Sequence, residues 1–417
     1  MSTSPLPKLP IPPAIVGAEP GSFARSTVLE RLPAIASRVI AENDFPAEIV
    51  QKLEAIASEI ITGSIRHLQD PEAPDLADWN GYIQPLLGKS WVDVPWFFAE
   101  TYFYRRIMEA IAHFPYGAWR GYDPFKQQKH LGLTAAREAI ERLSIQVNSY
   151  IQTSGEWDSS HLTELIYTAL WGNQADLSLW PAGESDRASG KAPGAVERLL
   201  VDDTAVVTQL LTANPVKRID FVADNAGFEL IGDLCLIDFL LVNKITTRLY
   251  LHLKPHPTFV SDATVEDVQQ TIGALLQMRH PQIQAFGSRL RDYITVGRMR
   301  LVEDYFWTSP LAGWEMPAAL HQEFAQSSLT IVKGDANYRR LLGDRHWAFD
   351  TPFGDIVAYF PSPVVALRTL KSEVASGLAS DRLTSLDRED RHWLTNGNWG
   401  IIQAELRSTL QSEEVLN

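Results

Sequence analysis

Apolar residues recur three or four positions apart through most of the first half of the chain, over residues 26–38, 48–68, 96–113, 131–149 and 161–170. That spacing gives each segment one apolar face and predicts helices that pack side by side. Pro71 to Pro74 and Gly117 to Pro124 separate them with turn formers. The aromatic stretch from Trp91 to Arg106 reads as a helix that uses Trp96, Phe97 and Phe103 as core, while Glu100 and Arg105 are not explained by packing. From Arg198 onward the pattern changes to short apolar runs, most with Val or Ile, at residues 218–223, 247–253, 329–332, 355–359 and 364–367. These predict buried strands, and the apolar segments 207–212, 230–241 and 265–278 predict helices between them. The expected architecture is α/β, a mixed sheet with helices on both faces in residues 198–417, preceded by a mainly helical domain in residues 1–197.

The ends of the predicted strands carry the chemistry. The first run stops at Asp224 and Asn225, turns through Gly227 and continues past Glu229 into the apolar segment 230–241. That places a carboxylate and an amide where open α/β sheets bind ligands. The second run ends in Lys254-Pro-His256-Pro-Thr-Phe-Val-Ser-Asp262. Asp224, Asn225 and Asp262 offer hard oxygen donors that suit Mg²⁺ or Mn²⁺. Asp is also a common helix cap, and residue chemistry leaves both roles open for the two acids. The third run breaks at Gly334 within Lys333-Gly-Asp335-Ala-Asn337-Tyr338-Arg339-Arg340, and the last leads into Arg368-Thr369-Leu370-Lys371. Arg and Lys match phosphate oxygens, the first as a planar fork and the second as a point charge. Basic groups set beside strand-end acids imply an anion held near a cation. Asn173, after Trp171 and Gly172, is either a turn residue or a ligand contact.

Charge narrows the partners. With 51 acidic against 37 basic side chains, the net charge of −14 gives no long-range attraction to nucleic acid or to an anionic membrane surface. The single cysteine, Cys235, sits in an apolar run and reads as an inert buried thiol, so no internal disulfide is available. Residues 1–17 lack a basic segment followed by an apolar core, and no apolar run reaches transmembrane length. A cytoplasmic, monomeric protein is expected. No G-x-G-x-x-G follows the strand at Arg218, and G-x-x-x-x-G-K-[ST], G-x-S-x-G and H-E-x-x-H are absent, which argues against the common dinucleotide, P-loop, serine hydrolase and metalloprotease sites.

Taken together, Asp224-Asn225-Ala-Gly227-Phe228-Glu229, the segment from Lys254 to Asp262, Lys333-Gly-Asp335-Ala-Asn337-Tyr338-Arg339 and Arg368-Thr369-Leu370-Lys371 resemble the damage-control phosphatase family, formerly a domain of unknown function. The last motif resembles the Arg-Thr-x-Lys signature of its metal-dependent branch, and likeness extends to Trp96 to Arg106, Asp123-Pro-Phe125 and Trp171-Gly-Asn173. The resemblance implies a helical domain joined to an α/β domain of Rossmann-like topology. It implies Asp224, Asn225 and Asp262 as metal ligands, and Glu229, Asp335, Asn337, Tyr338, Arg339 and Lys371 as substrate contacts. It further implies hydrolysis of sugar phosphates such as fructose 1-phosphate with Mn²⁺, Co²⁺ or Ni²⁺. A methyl transfer from S-adenosylmethionine to protein carboxylates has also been attributed to a human relative in that branch. Phosphoester hydrolysis needs a cation and positive side chains, whereas methyl transfer from a sulfonium gains nothing from gathering Lys371 and Arg339. The expectation is therefore a phosphatase in which Asp224, Asn225, Asp262 and Lys371 are catalytic and Lys371 and Arg339 grip the phosphate. Arg368, Asp335 and Asn173 are further substrate contacts, and the helical half forms a lid or wall. A non-catalytic sugar-phosphate sensor is the alternative outside enzymes.

Overall fold

The computed structural model describes residues 5–152, 157–172, 196–213 and 216–406, and within them seven strands form one sheet. They are β1 (Leu199–Asp202), β2 (Val216–Val222), β3 (Thr246–Leu253), β4 (Met299–Glu303), β5 (Leu329–Lys333), β6 (Val364–Thr369) and β7 (Gly400–Glu405). Across the sheet the order is β1, β7, β6, β5, β2, β3, β4. The five strands from β6 to β4 are parallel, β7 runs antiparallel to β6, and β1 pairs in parallel with β7.

Alternate side chains of a strand face opposite ways, and here they feed two separate cores. Val222, Val332, Val364, Ala366 and Ile401 point to one face, where they meet the helices Leu32–Glu42, Ala47–Thr62 and Trp96–Ala110 and the aromatic segment 306–360. Phe221, Ile331, Val365, Leu367 and Ile402 point to the other, against Arg137–Gln152, Ser159–Trp171, Phe228–Val242, Val265–Gln277 and Pro281–Thr295. Residues 228 to 241 are buried on every side, as a helix apolar all round must be. Each large apolar side chain so enclosed contributes about 1.5–3 kcal/mol. Both cores draw on residues from either side of position 197, so the helical half is packed into both faces of the sheet.

The architecture is the expected mixed sheet with helices on both faces and a helical N-terminal region, with local differences. Residues 355–359 are not a strand; Phe353–Ile356 is a helical turn and Val357–Tyr359 a 3₁₀ turn. Pro352 caps that turn and Pro361 follows it, and a short apolar run between prolines has no period to separate strand from turn. Residues 131–149 fall in two helices, Lys126–Ala135 and Arg137–Gln152. Among the described residues no helix is long and apolar enough to cross a membrane.

Candidate active site

β2 and β5 are neighbours whose onward connections leave in opposite directions, β2 towards β3 and β5 towards β6. Loops diverging from adjacent parallel strands open a crevice at their carboxyl ends, the place where such sheets take ligands. Asp224 and Asn225 follow β2, Gly334 and Asp335 follow β5, the loop from Lys254 to Asp262 follows β3, and Lys371 follows β6. The walls are close. Gly334 has φ +90°, and a Cβ on it would lie 2.0 Å from Asp224 Cγ, so only glycine lets the β5 turn lie against that carboxylate.

Neither acid caps a helix. Gly227 occupies the N-cap of Phe228–Val242, and Thr264 forms a reciprocal capping box with Asp267 on Val265–Gln277. The loop carrying Asp262 is fixed instead against the end of β2: Ala226 N–H donates to Ser261 O at 2.7 Å and Ala263 N–H to Asp224 O at 2.8 Å. Phe259 and Val260 adopt φ of +44° and +69° on the way, a conformation costly for bulky side chains. Stacking of Phe259 on Phe97 and its tilted contact with Tyr104, at 6.0 and 5.1 Å between ring centres, hold the loop in place.

Inside the crevice Asn225 Nδ2 donates to Asp224 Oδ2 and Glu229 Oε2, both at 2.8 Å, and its Oδ1 accepts from Ser261 Oγ at 2.5 Å. Lys254 Nζ lies 3.3 Å from Asp262 Oδ2 and donates to Asn337 Oδ1 at 3.0 Å. Lys333 Nζ sits 3.0 Å from Glu229 Oε1 and 3.1 Å from Asp233 Oδ1, and also donates to Ala169 O at the end of helix Ser159–Trp171. Burial, then the Glu229 and Asp262 carboxylates, push Asp224 well above the usual carboxylate range, against the pull of Lys371 and Lys254. Burial also raises Asp262 despite Lys254, and lifts Asp233 to about 7 despite Lys333. Lys254 is lowered by the same burial. Lys371 is half-buried, its backbone N–H donates to Asp335 Oδ1 at 3.0 Å, and its ammonium has no hydrogen-bond or ion-pair partner among the described residues.

Three buried acids crowded together with Asp262 Oδ2 lacking a hydrogen bond form a set that a cation would relieve. Among the described residues no group of three His, Cys, Asp or Glu side chains makes a metal cluster by itself. The set that fits is two carboxylates and an amide, Asp224, Asp262 and Asn225, all hard oxygen donors. Asn225 turns its nitrogen to Asp224 in this rotamer, and exchanging the amide atoms, which are nearly equal in size, brings the oxygen there.

The remaining expected contacts divide. Glu229 and Asp335 reach the crevice, the latter accepting from Arg368 Nε at 2.8 Å and Ser372 Oγ at 3.1 Å. Burial would raise Asp335, but Arg368, Arg339 and these bonds hold it below the usual range. Arg339, expected on the phosphate, is differently employed: its guanidinium bonds Asp344 Oδ1 at 2.7 Å and Glu100 Oε2 at 2.5 Å and lies 3.6 Å over the Trp96 ring. Tyr338 is fully buried with its hydroxyl on Gln403 at 2.7 Å, and Arg368 spends its donors on Asp335, Ser372 and Val374 O. Asn337 uses both amide atoms, donating to Ala223 O and Lys333 O and accepting from Lys254, which ties the ends of β2 and β5 together. These four hold the walls rather than line an open surface. Asn173 lies outside the described residues. Lys254, Lys333 and Asp233 were not singled out from the sequence, although a lysine closing an apolar strand, as at Lys254 and Lys333, is a readable sign of a carboxylate beyond it. Arg105 turns away to Asp70 and Asp75 at 2.8 and 2.9 Å.

Clustered acids, an amide and a lysine unpaired among the described residues meet at the strand ends of a mixed α/β sheet, and comparison with known proteins makes the class specific. Residues 27–386 match the model of the damage-control phosphatase ARMT1-like domain, and the chain belongs to that family. It is 32% identical to the human damage-control phosphatase ARMT1 over 94% of this chain and 98% of that protein. The mouse protein of the same name is 33% identical with the same coverage, and the zebrafish one 32% over 94% and 97%. A crystal structure of a DUF89 family protein from Pyrococcus horikoshii superposes with a TM-score of 0.47 at 13% identity, covering 90% of this chain and 96% of that one.

Proposed function

We propose that this protein is a divalent-metal-dependent phosphomonoesterase for small sugar phosphates of the fructose 1-phosphate kind, working in metabolite damage control. The observation that carries the reading is the meeting of Asp224, Asn225 and Asp262 in one buried crevice with the ammonium of Lys371, unpartnered among the described residues, on its rim. A divalent ion held by those three residues supplies Lewis-acid polarisation of a phosphoryl oxygen, and Mn²⁺ or Ni²⁺ is favoured over Co²⁺ or Mg²⁺. Lys371 neutralises the other phosphoryl oxygens, with its backbone pinned by Asp335. Glu229, oriented by Lys333 and Asn225, offers its carboxylate to sugar hydroxyls. Lys254 holds Asp262 in place against the end of β3. The helical half closes one wall through Ala169 and Gly172, whose added Cβ would come within 3.2 Å of Glu229 Cα. The reading is of a cytoplasmic monomer whose partner is a small phosphorylated metabolite rather than nucleic acid or membrane, in keeping with the charge of −14.

The test is inorganic phosphate release across a panel of hexose and pentose phosphates with each metal added in turn. Release that requires Mn²⁺ or Ni²⁺ and vanishes in Asp224→Ala is the expected result. Transfer of labelled methyl from S-adenosylmethionine to protein carboxylates, with no phosphate released from any ester, overturns it in favour of a methyltransferase. Tight sugar-phosphate binding with neither activity leaves a sensor.

A further inference from the structure

Glu229 and Asp233 stand one turn apart on Phe228–Val242, the buried helix that follows the Asp224 turn, and an i, i+4 spacing puts both carboxylates on one side of it. Both face the same ammonium. Lys333 Nζ lies 3.0 Å from Glu229 Oε1 and 3.1 Å from Asp233 Oδ1, and it also donates to Ala169 O near the end of helix Ser159–Trp171. The two helices are pressed together there. A Cβ on Gly232 would come within 3.3 Å of Thr168 O, and one on Gly172 within 3.2 Å of Glu229 Cα.

One acid is enough to neutralise Lys333, and Glu229 supplies it. Asp233 is the surplus charge. It is fully buried, and the Lys333 ammonium is its one partner among the described residues. Burial lifts it to about 7 against the pull of that lysine. A carboxyl so placed costs the fold more than an apolar side chain of similar size would. Asp233 has no contact with Asp224, Asn225 or Asp262, so what it does for the crevice passes through Lys333.

Glu229 is the member of the trio that meets the crevice, where its Oε2 accepts from Asn225 Nδ2 at 2.8 Å. When the Asn225 amide turns its oxygen towards a cation, that donor is withdrawn and Oε2 is left for a group from outside. A lysine ammonium is a compact charge on a flexible stem with three rotatable donors. Paired with Glu229 alone, it would close over both carboxylate oxygens and satisfy the acceptor that a ligand hydroxyl needs. Asp233 draws it back. We propose that Asp233 is a positioning residue for specificity: by holding Lys333 on Glu229 Oε1 it reserves Oε2 for a sugar hydroxyl, so that the crevice selects hydroxylated phosphate esters over phosphate itself. This role rests on the phosphatase reading of the crevice.

The experiment uses the full chain and compares the KM of fructose 1-phosphate with the inhibition constant of inorganic phosphate, which lacks the sugar. Asp233→Leu is expected to raise KM about tenfold, equivalent to 1.4 kcal/mol, and to leave the phosphate constant within about twofold. Its melting temperature should hold or rise, because Lys333 still has Glu229. Asp233→Asn keeps an acceptor oxygen towards Lys333 and should stay within about threefold of the wild-type KM. Asp233→Ala carries the prediction of the leucine variant if leucine is not accommodated. An unchanged KM in the apolar variants, a KM and phosphate constant that rise together, or an asparagine variant as impaired as the leucine one each overturns the role. If the wild type releases phosphate from no ester, the phosphatase reading fails by itself, and calorimetric dissociation constants of the same two compounds then decide among these outcomes. Absence of fructose 1-phosphate binding to the wild type overturns both.

Discussion

Asp220 and Asp224 lie four residues apart on one strand and its extension, on the same side of the sheet, and are both buried, yet their surroundings are opposite. Asp220 accepts from Arg218 Nε and from His252 Nε2, each at 2.7 Å, and those partners hold it below the usual carboxylate range although burial pulls the other way. Among the described residues Asp224 has no cation in hydrogen-bonding contact; it faces two further carboxylates and is driven well above that range. An acid supplied with its own cation belongs to the architecture. One left wanting a cation marks where the molecule expects something from outside.

The contrast can be broken most sharply by exchanging the two losses. Asp224→Ala should reduce phosphate release by about a thousandfold or more, the several kcal/mol that an electrophilic site contributes, while the melting temperature stays within a few degrees. Asp220→Ala should do the reverse, costing about 3–5 kcal/mol in urea unfolding because buried Arg218 and His252 both lose the acid between them and Arg218 keeps only the exposed Glu323 at 3.1 Å, with activity per folded molecule retained. If the two variants behaved alike in both assays, the distinction between structural and functional acid would fail.

The basic side chains should sort in the same way. Lys371→Ala is expected to lower the rate by roughly thirtyfold to a few thousandfold, the 2–5 kcal/mol of a lost charge-assisted contact, with little change in stability. Arg339→Leu leaves Glu100 and Asp344 buried and unpaired, so its main effect should be a loss of about 3–5 kcal/mol in denaturant unfolding. A large rate loss in a fully stable Arg339→Leu would return that residue to the phosphate.

The smallest effect concerns pH. Burial, opposed by Asp75, lowers His256 to about 3 from an ordinary 6.5, so the fold prefers the neutral ring. The unfolded chain then takes up a proton that the folded one refuses. Stability is full above pH 6.5 and falls as pH drops towards 3, at up to ~1.4 kcal/mol per pH unit. His256→Phe, whose ring suits neighbours such as Phe114 at 5.7 Å, should flatten that part of the stability curve measured by denaturant titration. An unchanged acid limb would show that His256 does not set it.

β2, β5 and β6 were legible as Val- and Ile-bearing runs, and β3 as a run of Leu and Tyr, because a parallel strand inside the sheet is largely buried and needs no strict alternation to announce itself. β1, β4 and β7 escaped notice: β1 and β4 are short edges, Leu-Leu-Val-Asp and Met-Arg-Leu-Val-Glu, whose polar positions face solvent, and β7, although inside the sheet, offers only Ile401-Ile402 before Gln403. Asp224 and Asn225 could be placed at a strand end because they sit where an apolar run stops, and Asp262 because it closes the loop that leaves the next run, positions that need no knowledge of distant partners. What Arg339 does could not be seen that way. Its ring support and one of its acids come from Trp96 and Glu100, more than two hundred positions earlier in the chain, and no local pattern encodes that meeting.

The order of the strands bears on how the chain is made. β1 lies at one edge of the sheet with β7 as its neighbour, and β7 is inserted between β1 and β6. A nascent chain emerging from the ribosome therefore carries Leu199–Asp202 for some two hundred residues of synthesis before that strand meets its ladder partner. The sheet is completed only once residue 405 has left the ribosome, and in that interval the unpaired edge of β1 is open to a chaperone that shields such edges.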